Sequence, residues 1–272
     1  MLEILNETVV WLRPYIPKET KIGIILGTGL GALANRITEK KEIPYENIPH
    51  FPVSTVEGHS GKLIIGKLGE KSVIAMQGRF HFYEGYDMKQ VTYPVRTMQL
   101  LGIEYLFVSN AAGGMNGSFK VGDIMLIEDH INLFPEHPLR GKNIPELGTR
   151  FPDMSEAYDL DLRKSAKEIA EKNAIKLQFG IYVGTQGPTF ETPGEYHFFK
   201  IIGGDAVGMS TVPEVIVARH AGMKVLAFSV ITDLGVYGKT VKVSHEEVLE
   251  AATIAQPKLA FIIEEVIKNL NS

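Results

Sequence analysis

Short, nearly unbroken apolar runs alternate with helical patterns along the chain, and this alternation constrains the fold more than any other feature. The runs lie at 21–26, 72–77, 105–110 and 225–232. Their Val and Ile content is typical of strands that are covered on both faces of a sheet. Segments with apolar residues at helical spacing separate them. The sequence therefore predicts an α/β fold, a three-layer α/β/α domain with a central mixed β-sheet that spans residues 1–272.

Four local patterns refine this prediction. The turn at 69–71 joins two apolar runs and predicts a hairpin, whereas 43–51 is Pro-rich and is predicted to be irregular. One continuous helix is expected over 88–101. Thr211-Val-Pro-Glu214 has the form of a capping box with a Pro in the first turn, and it predicts the start of another helix.

Composition and charge exclude several classes of protein. The net charge of −4 and the lack of a basic run argue against nucleic-acid binding. There is no cysteine, which excludes disulfides, thiolate metal sites and a cysteine nucleophile. No apolar run approaches the roughly 20 residues that cross a bilayer, and the acidic, amphipathic N-terminus does not resemble a signal peptide. We therefore expect a cytoplasmic protein with no membrane partner.

A candidate anion site follows the predicted strand at 72–77. Arg79 and His81 stand just past this strand, where ligands collect in α/β proteins. A guanidinium matches phosphate oxygens with a planar fork, and a His adds another donor. The Gly-rich stretch 27–31 also follows a strand, but it lacks the spacing of dinucleotide and P-loop motifs. A surface Arg beside a packed His, and a tight turn without a ligand, are the structural alternatives.

Other polar or small residues occupy similar places, at strand ends, in loops and at helix starts. They are His59, the stretch 110–114, Glu191, Ser210, Asp233 and His245. A carboxylate beside an aromatic ring, as in Phe190-Glu191, suits the N–H edge and the face of a planar heterocycle. Each residue also has a structural alternative, as a solvated loop residue, a helix cap or a turn residue. No metal-ligand spacing and no G-x-S-x-G elbow occurs, so we expect neither a metal site nor serine chemistry.

Taken in order, these stretches resemble the trimeric purine nucleoside phosphorylases. The matching motifs lie at 27–31, 78–86, 110–114, 121–127, 187–191, 206–219 and 245–248. They form an ordered set over nearly the whole chain, which chance does not explain. The resemblance implies that a purine nucleoside reacts with inorganic phosphate, as in purine salvage, to give free base and (deoxy)ribose 1-phosphate with inversion at C1′. It implies phosphate as a co-substrate and no cofactor.

The resemblance also implies roles for individual residues. Phosphate would be bound by Thr28, His59, Arg79, Phe80, His81, Ala111 and Ser210. The nucleoside would be bound by Tyr83, Phe151, Phe190, Glu191, Val207, Met209, Asp233 and His245. The catalytic residues would be His81, Glu191, Asp233 and His245. The family likeness further implies a homotrimer in which Phe151 contributes to the neighbouring site.

One position departs from the family. Asp233 stands where the 6-oxopurine enzymes usually carry Asn, whose amide donates to N7 of the base. An ionised Asp only accepts hydrogen bonds, whereas a protonated one donates. Inosine and guanosine are the expected substrates, and an enzyme that prefers adenosine or methylthioadenosine is the alternative that Asp233 keeps open. A non-catalytic purine or phosphate sensor and a nucleosidase that uses water are further alternatives, although neither needs the full set of phosphate ligands.

Overall fold

Nine β-strands form one mixed sheet in the computed structural model, which describes residues 1–27, 31–53, 61–235 and 245–270. The strands are β1 (Ile22–Leu26), β2 (Thr38–Pro44), β3 (Lys62–Leu68), β4 (Lys71–Gln77), β5 (Tyr105–Gly114), β6 (Ile124–Asn132), β7 (Leu177–Gly184), β8 (Ala206–Gly208) and β9 (Lys224–Leu234). The helices are α1 (Leu2–Leu12), α2 (Ala32–Arg36), α3 (Met88–Val91), α4 (Tyr93–Leu101), α5 (Leu160–Lys172), α6 (Pro193–Ile201), α7 (Val212–His220) and α8 (His245–Lys268). Strands alternate with helices, as the sequence predicts.

The topology of the sheet brings several strand ends together. The strand order is β2-β3-β4-β1-β5-β8-β7-β6-β9. Strands β4, β1, β5 and β9 run parallel to one another, while β2 and β3 add antiparallel pairs at one edge. Strand β9 pairs with β5 as well as β6, so the strands from β5 to β9 close on themselves. The carboxyl ends of β4, β5 and β9 therefore lie on one side of the sheet, where ligands bind in α/β proteins.

Helices cover both faces of the sheet and produce the three layers. On one face, α4 packs between α1 and α7 and buries side chains such as Val95 and Val215. On the other face, α8 packs against α2 and α5 around Ala166 and Ile262. Every residue of β1 is buried, because the strand is covered from both sides. The predicted fold class is confirmed, while the assignment of residues 1–272 to one domain stays a prediction.

The hairpin and the edge of the sheet test two of the local predictions. The predicted hairpin is present, since β3 and β4 pair antiparallel around Gly69 and Glu70, which both have positive φ. The segment 43–51 is not wholly irregular, because the end of β2 lies within it. Strand β2 was not predicted because it is an edge strand whose exposed, charged side chains show no apolar pattern.

The helix predicted over 88–101 is interrupted and forms α3 and α4. Pro94 has no N–H for the carbonyl of Gln90, four residues earlier, so the hydrogen-bond ladder breaks there. Thr92 leaves helical geometry with φ of −98° and ψ of 2°. The prediction of one continuous helix was therefore wrong in this detail.

Strand β5 is longer than predicted. It continues past residue 110 to Gly114, so that the stretch 110–114 pairs with β9 and β8 instead of leaving the sheet. The Ala and Gly residues of this stretch have low strand propensity, which conceals the strand in the sequence. Among the residues that the structure describes, no helix is both long enough and apolar enough to cross a membrane. The cytoplasmic location stays a prediction.

Candidate active site

A cavity of about 400 Å³ opens beside the carboxyl ends of β4, β5, β8 and β9. Most of the residues that the sequence predicts for the site line this cavity. They are Arg79, His81, Tyr83, Ala111, Phe190, Glu191, Val207, Met209, Ser210 and Asp233. Asn110, Thr232 and Val248 also line it. Residues from distant parts of the sequence thus meet around one cavity, in a first cluster around Arg79 and His81 and a second that contains the carboxyl groups of Glu191 and Asp233.

Arg79 is held by a buried ion pair. Its Nε donates to Oε1 of Glu214 at 3.0 Å, and the two side chains are only 2% and 4% exposed. Its Nη1 donates to the carbonyl oxygen of Ser109 at 2.9 Å and to Oγ of Ser210 at 3.0 Å. The charge of Glu214 offsets the cost of burying the guanidinium. The pair fixes Arg79 so that Nη1 reaches the Ser210 hydroxyl at the cavity wall.

The capping box predicted from Thr211 to Glu214 is absent. Thr211 precedes α7, but its side chain accepts no cap hydrogen bond, and Glu214 binds Arg79 instead. The reason lies in the backbone of Thr211, whose φ of 69° and ψ of −54° differ from the extended geometry of a capping residue. The N–H of Val212 closes a γ-turn onto the carbonyl oxygen of Ser210 at 2.7 Å.

Buried hydrogen bonds hold this strained turn. A residue other than Gly in such a conformation costs about 1 to 3 kcal/mol. Nδ2 of Asn110, in β5, donates to Oγ1 of Thr211 at 2.8 Å, and both residues are buried. Oγ1 of Thr211 also lies 3.2 Å from Oγ of Ser210. The turn therefore places the Ser210 hydroxyl between Thr211 and Arg79, at the cavity wall.

Glu84 orients His81 beside the same cluster. Oε1 of Glu84 accepts the backbone N–H of His81 at 2.8 Å and lies 3.0 Å from its Nδ1. The ring of Tyr83 stacks on the imidazole, with centroids 4.6 Å apart and planes inclined by 15°. Because a carboxylate oxygen only accepts, Nδ1 carries a proton in this contact. Burial lowers the pKa of His81 although the bond to Glu84 opposes it, and so the imidazole is neutral at pH 7.

The second cluster contains the carboxyl of Glu191. Thr192, rather than Glu191, caps α6: its hydroxyl accepts the N–H of Glu195 at 3.2 Å, and the Glu195 carboxylate accepts the N–H of Thr192 at 2.7 Å. Glu191 is thus spared the capping role and lines the cavity beside Phe190. Burial raises the pKa of Glu191 to about 7, and the nearby charge of Asp233 acts in the same direction. Near neutral pH this carboxyl exchanges between donor and acceptor forms.

Asp233 lies near the end of β9 with a hydroxyl donor on each carboxyl oxygen. Tyr196 in α6 donates to Oδ2 at 2.8 Å, and Thr232 donates to Oδ1 at 3.0 Å. Burial raises the pKa of Asp233, while the hydrogen bonds from Tyr196 and Thr232 act against burial. The protonated form is therefore more accessible than it is for an exposed Asp. In that form the carboxyl can donate a hydrogen bond to a ligand.

Two predicted aromatic residues lie away from this cavity. The ring of Phe80 is 1% exposed and packs in the core against Tyr45 and Phe51, so its side chain does not contact a ligand in the cavity. The sequence around Arg79, in which aromatic residues alternate with polar ones, does not show that the Phe80 side chain points into the core. Phe151 is 84% exposed and lines a different cavity.

Three further predicted residues cannot be compared with the cavity. Thr28 and His59 lie outside the residues that the structure describes. His245 is the first residue of α8, and its side chain also lies outside the described part of the molecule. The predictions for these three side chains therefore stay predictions.

Sequence reasoning missed several residues that support the site, among them Glu84, Tyr196 and Glu214. A signal for Glu214 was present, because it is the one acidic residue in the otherwise apolar first turns of α7, and a buried carboxylate needs a partner. Glu84 follows His81 by three residues, a spacing that a single turn closes. No comparable signal marks Tyr196, since its contact with Asp233 joins residues that are 37 positions apart.

No group of His, Asp and Glu side chains that could hold a metal ion occurs in the described ranges. The arrangement instead offers hydrogen-bond donors for an anion and carboxyl groups for a ligand with N–H groups and ring nitrogens.

Comparison with known proteins assigns the family. The family model of the phosphorylase superfamily matches residues 21–268. Purine nucleoside phosphorylase 1 of Bacillus subtilis is 49% identical over 267 residues, which are 98% of each chain. Purine nucleoside phosphorylase of Bos taurus is 50% identical over 263 residues, covering 93% of this chain and 90% of its own. The chain belongs to the purine nucleoside phosphorylases.

Solved structures of schistosome purine nucleoside phosphorylase share the fold. The complex with hypoxanthine has a TM-score of 0.94 and 43% identity, and the match covers 99% of this chain and 98% of that one. As a purine nucleoside phosphorylase, the protein is an enzyme that cleaves purine nucleosides with phosphate. The sensor and nucleosidase alternatives are thereby rejected, and a preference for adenosine or methylthioadenosine is not favoured by these relatives.

Proposed function

We propose that this enzyme acts mainly on 6-oxopurine nucleosides, inosine and guanosine. The observation that carries the proposal is the position of Glu191, a partly buried carboxyl that lines the cavity beside Phe190. When ionised, it accepts a hydrogen bond from N1–H of a 6-oxopurine, whereas N1 of adenine carries no proton. Schistosome relatives were solved with inosine, with guanosine and also with adenosine. Bound ligands of relatives therefore do not set the preference, and the proposal rests on Glu191.

Phosphate binds, in this proposal, at the cluster of Arg79, Ser210, His81 and Ala111. The hydroxyl of Ser210 accepts a hydrogen bond from Nη1 of Arg79 at 3.0 Å, so its own hydrogen can be donated to phosphate, and the guanidinium adds positive charge beside it. The neutral His81 accepts the O–H of hydrogen phosphate through Nε2, since Nδ1 is bound to Glu84. The predicted ligands Thr28 and His59 complete the proposed set from outside the described residues.

The reaction follows from positioning and electrostatics. Cleavage of the glycosidic bond leaves positive charge on the ribose and negative charge on the purine. A phosphate dianion held beneath C1′ stabilises the first and attacks from the face opposite the base, which inverts C1′. Tyr83 and Met209 line the cavity and, with His245, are proposed to hold the ribose. The products, a free base and a pentose 1-phosphate, suit purine salvage.

The base is proposed to lie against Phe190 and Val207, with its polar edge toward the two carboxyl groups. Phe190 is 46% exposed, and a purine stacked on its ring would remove this apolar surface from water. Glu191 accepts N1–H, and Asp233 in its protonated form donates to N7. A bound 6-oxopurine selects this pair of states, because its N1–H stabilises the Glu191 carboxylate, whose charge in turn favours the protonated form of Asp233.

We include a homotrimer in the proposal, with Phe151 completing the site of a neighbouring subunit. Phe151 is presented on a well-anchored loop, since Nη1 of Arg150 donates to the carbonyl oxygens of Leu139 at 3.2 Å and of Gly141 at 3.0 Å. A single exposed ring is ordinary on a protein surface. The trimer is therefore proposed on the family likeness, and the loop geometry supports it by fixing the ring in an exposed position.

The proposal is tested by comparing kcat/KM for inosine, guanosine and adenosine in the wild type and in Glu191→Gln. Loss of a charged acceptor should lower kcat/KM for inosine by roughly 10- to 100-fold and change that for adenosine little. Glu171→Gln, on the exposed face of α5, is the matched control. Wild-type cleavage of adenosine as fast as inosine, or an equal loss on all three substrates in Glu191→Gln, would overturn the proposed base recognition.

A further inference from the structure

The hydroxyl of Tyr196 contacts the two carboxyl groups that are proposed to bind the purine base, although Tyr196 does not line the cavity. Tyr196 is 2% exposed, and its Oη donates to Oδ2 of Asp233 at 2.8 Å. The same hydroxyl interacts with the side chain of Glu191 and lowers the pKa of that carboxyl. One buried phenol therefore acts on both acidic groups that are proposed to meet the purine.

Close packing fixes the position of this phenol. A Cβ at Gly113 would lie 2.7 Å from the Tyr196 hydroxyl and 3.0 Å from Oδ2 of Asp233, so only Gly lets these groups meet beside β5. A Cβ at Gly235 would lie 2.1 Å from the aromatic ring. The other side of the ring belongs to a small core cluster that includes Phe199. The hydroxyl is thus held against Oδ2 and has little room to turn elsewhere.

The two oxygens of Asp233 have different surroundings. Oδ2 accepts from the Tyr196 hydroxyl at 2.8 Å, and the close packing of the ring keeps the hydroxyl there although the Glu191 carboxyl competes for its hydrogen. Oδ1 is bonded by Thr232 at 3.0 Å, but the Thr232 hydroxyl also lies 3.3 Å from the carbonyl oxygen of Ala112 and can donate there instead. Burial and the two neighbouring carboxyls raise the pKa of Tyr196, so that the phenol remains a donor at every pH of interest. When Asp233 is protonated, its proton therefore belongs on Oδ1.

We propose that Tyr196 is a positioning residue: its hydroxyl holds Oδ2 of Asp233, so that the carboxyl proton lies on Oδ1 and is delivered to N7 of the departing purine. This inference rests on the base recognition proposed above and assigns the geometry within it. The protonated Asp233 carboxyl then resembles a side-chain amide, because Oδ2 accepts a hydrogen bond while Oδ1 donates one. The Tyr196 hydrogen bond also stabilises the Asp233 carboxylate that remains after the proton has left.

The proton balance of the step is complete. The C1′–N9 bond breaks and its electron pair passes to the purine, while a phosphate oxygen forms the new bond to C1′. Asp233 gives its proton to N7, so the base leaves neutral and Asp233 becomes a carboxylate. The sugar phosphate releases to solvent the proton that hydrogen phosphate brought, and one proton from solvent restores Asp233.

The other charged groups around Asp233 do not replace this partner. Glu195, on the same helix as Tyr196, is exposed and bonded at the N-terminus of α6. The segments of β5 and β8 that adjoin Asp233, Gly113 and Val207 among them, carry no titratable side chain. Glu246 and Glu247, in the first turn of α8, are exposed.

Across the cavity, Arg79 and His81 belong to the phosphate cluster, where Glu214 and Glu84 pair with them. Arg79 carries the positive charge of this group and is paired with Glu214, whereas the His81 imidazole is neutral at pH 7. Of the described groups, Tyr196 and Thr232 are the ones that hydrogen bond to the Asp233 carboxyl.

The test is Tyr196→Phe, assayed over a pH series with inosine and with 7-methylguanosine. The methyl group of 7-methylguanosine occupies N7 and leaves the base positively charged, so that its departure needs no proton donor there. We expect kcat for inosine to fall roughly 10- to 100-fold, with much less change for 7-methylguanosine. In the plot of kcat for inosine against pH, the fall at alkaline pH should move to higher pH. The reason is that the variant loses the hydrogen bond that lowers the pKa of Asp233.

Tyr158→Phe is the matched control, because Tyr158 is also buried and bonds His130 away from the cavity. An equal loss on both substrates in Tyr196→Phe, or no loss on inosine, would overturn the inference. Should this variant fail to fold, Asp233→Asn decides: an amide does not titrate, so the fall at alkaline pH with inosine should move to higher pH than in the wild type, and the same fall in both proteins contradicts the inference. Failure of the wild type to cleave either nucleoside with phosphate would instead reject the proposed function itself.

Discussion

Replacing Glu214 by Gln should destabilise the empty enzyme and strengthen its response to phosphate. Glu214 is the counter-ion of Arg79, at 3.0 Å, and both side chains are almost fully buried. Gln keeps the size of the side chain and an oxygen that can accept from Nε. The change therefore removes the charge and leaves most of the packing intact.

The magnitude follows from the burial of the pair. Removing one partner of a buried ion pair costs about 3 to 5 kcal/mol, and Glu214→Ala should approach this range. Glu214→Gln retains a hydrogen bond, so its cost should be nearer the value of a charged hydrogen bond, about 1.5 to 3 kcal/mol. At about 2 °C per kcal/mol for a chain of this length, Tm should fall by roughly 6 to 10 °C in the Ala variant and 3 to 6 °C in the Gln variant.

The assay is thermal unfolding with and without saturating phosphate. Phosphate that binds only the folded state raises Tm, and in Glu214→Gln it also supplies the negative charge that Arg79 has lost. The phosphate-induced rise in Tm should therefore be larger in the variant than in the wild type. Glu104→Gln is the control, because its partner Lys21 lies 2.6 Å away in a pair that is about half exposed and is expected to contribute roughly 0 to 1 kcal/mol.

Equal Tm values for Glu214→Gln and Glu104→Gln would refute the argument from burial. An unchanged or smaller phosphate-induced rise in Glu214→Gln would refute the placement of phosphate beside Arg79. The two parts of the prediction can thus fail separately.

Three further predictions concern other parts of the site. Asn110→Ala removes the buried donor to the strained Thr211 and should lower the free energy of unfolding by about 1 to 3 kcal/mol. The KM for phosphate should increase more than the KM for inosine. An unchanged KM for phosphate would count against the role of the turn. Because burial raises the folded-state pKa of Glu191 to about 7, its contribution to stability is complete below the unfolded value near 4.5 and is lost as pH rises through 7. Glu191→Gln should therefore remove part of the slope of Tm between pH 5 and 8, and identical slopes would contradict this. Phe151→Ala should raise KM for inosine while leaving the oligomer seen in analytical ultracentrifugation intact; a monomeric wild type would reject the proposed role of Phe151.

Much of the fold could be predicted because burial on both faces leaves a strong apolar signal. Strands β1 and β9 are buried along most of their length, and apolar residues predominate in their sequences. Strand β2 gave no such signal, since an edge strand exposes its charged side chains. The closure of the sheet through the pairing of β9 with both β5 and β6 depends on long-range contacts that no local pattern records.

The candidate site shows the same division between local and long-range information. Arg79 and Glu191 could be proposed because each follows a recognisable local pattern and because the motifs resemble a known family. Their partners could not, since Glu214 is 135 positions from Arg79 and Tyr196 is 37 from Asp233. The γ-turn at Thr211 imitates a capping box in sequence, because Thr and Glu at that spacing fit either structure.

Product analysis shows whether phosphate is the nucleophile in purine nucleoside cleavage. Inosine is incubated with the enzyme in phosphate-free buffer and in buffer with phosphate, and hypoxanthine, ribose and ribose 1-phosphate are quantified. Hypoxanthine should be released only with phosphate, together with an equal amount of ribose 1-phosphate. Release of hypoxanthine and free ribose without phosphate would contradict this expectation.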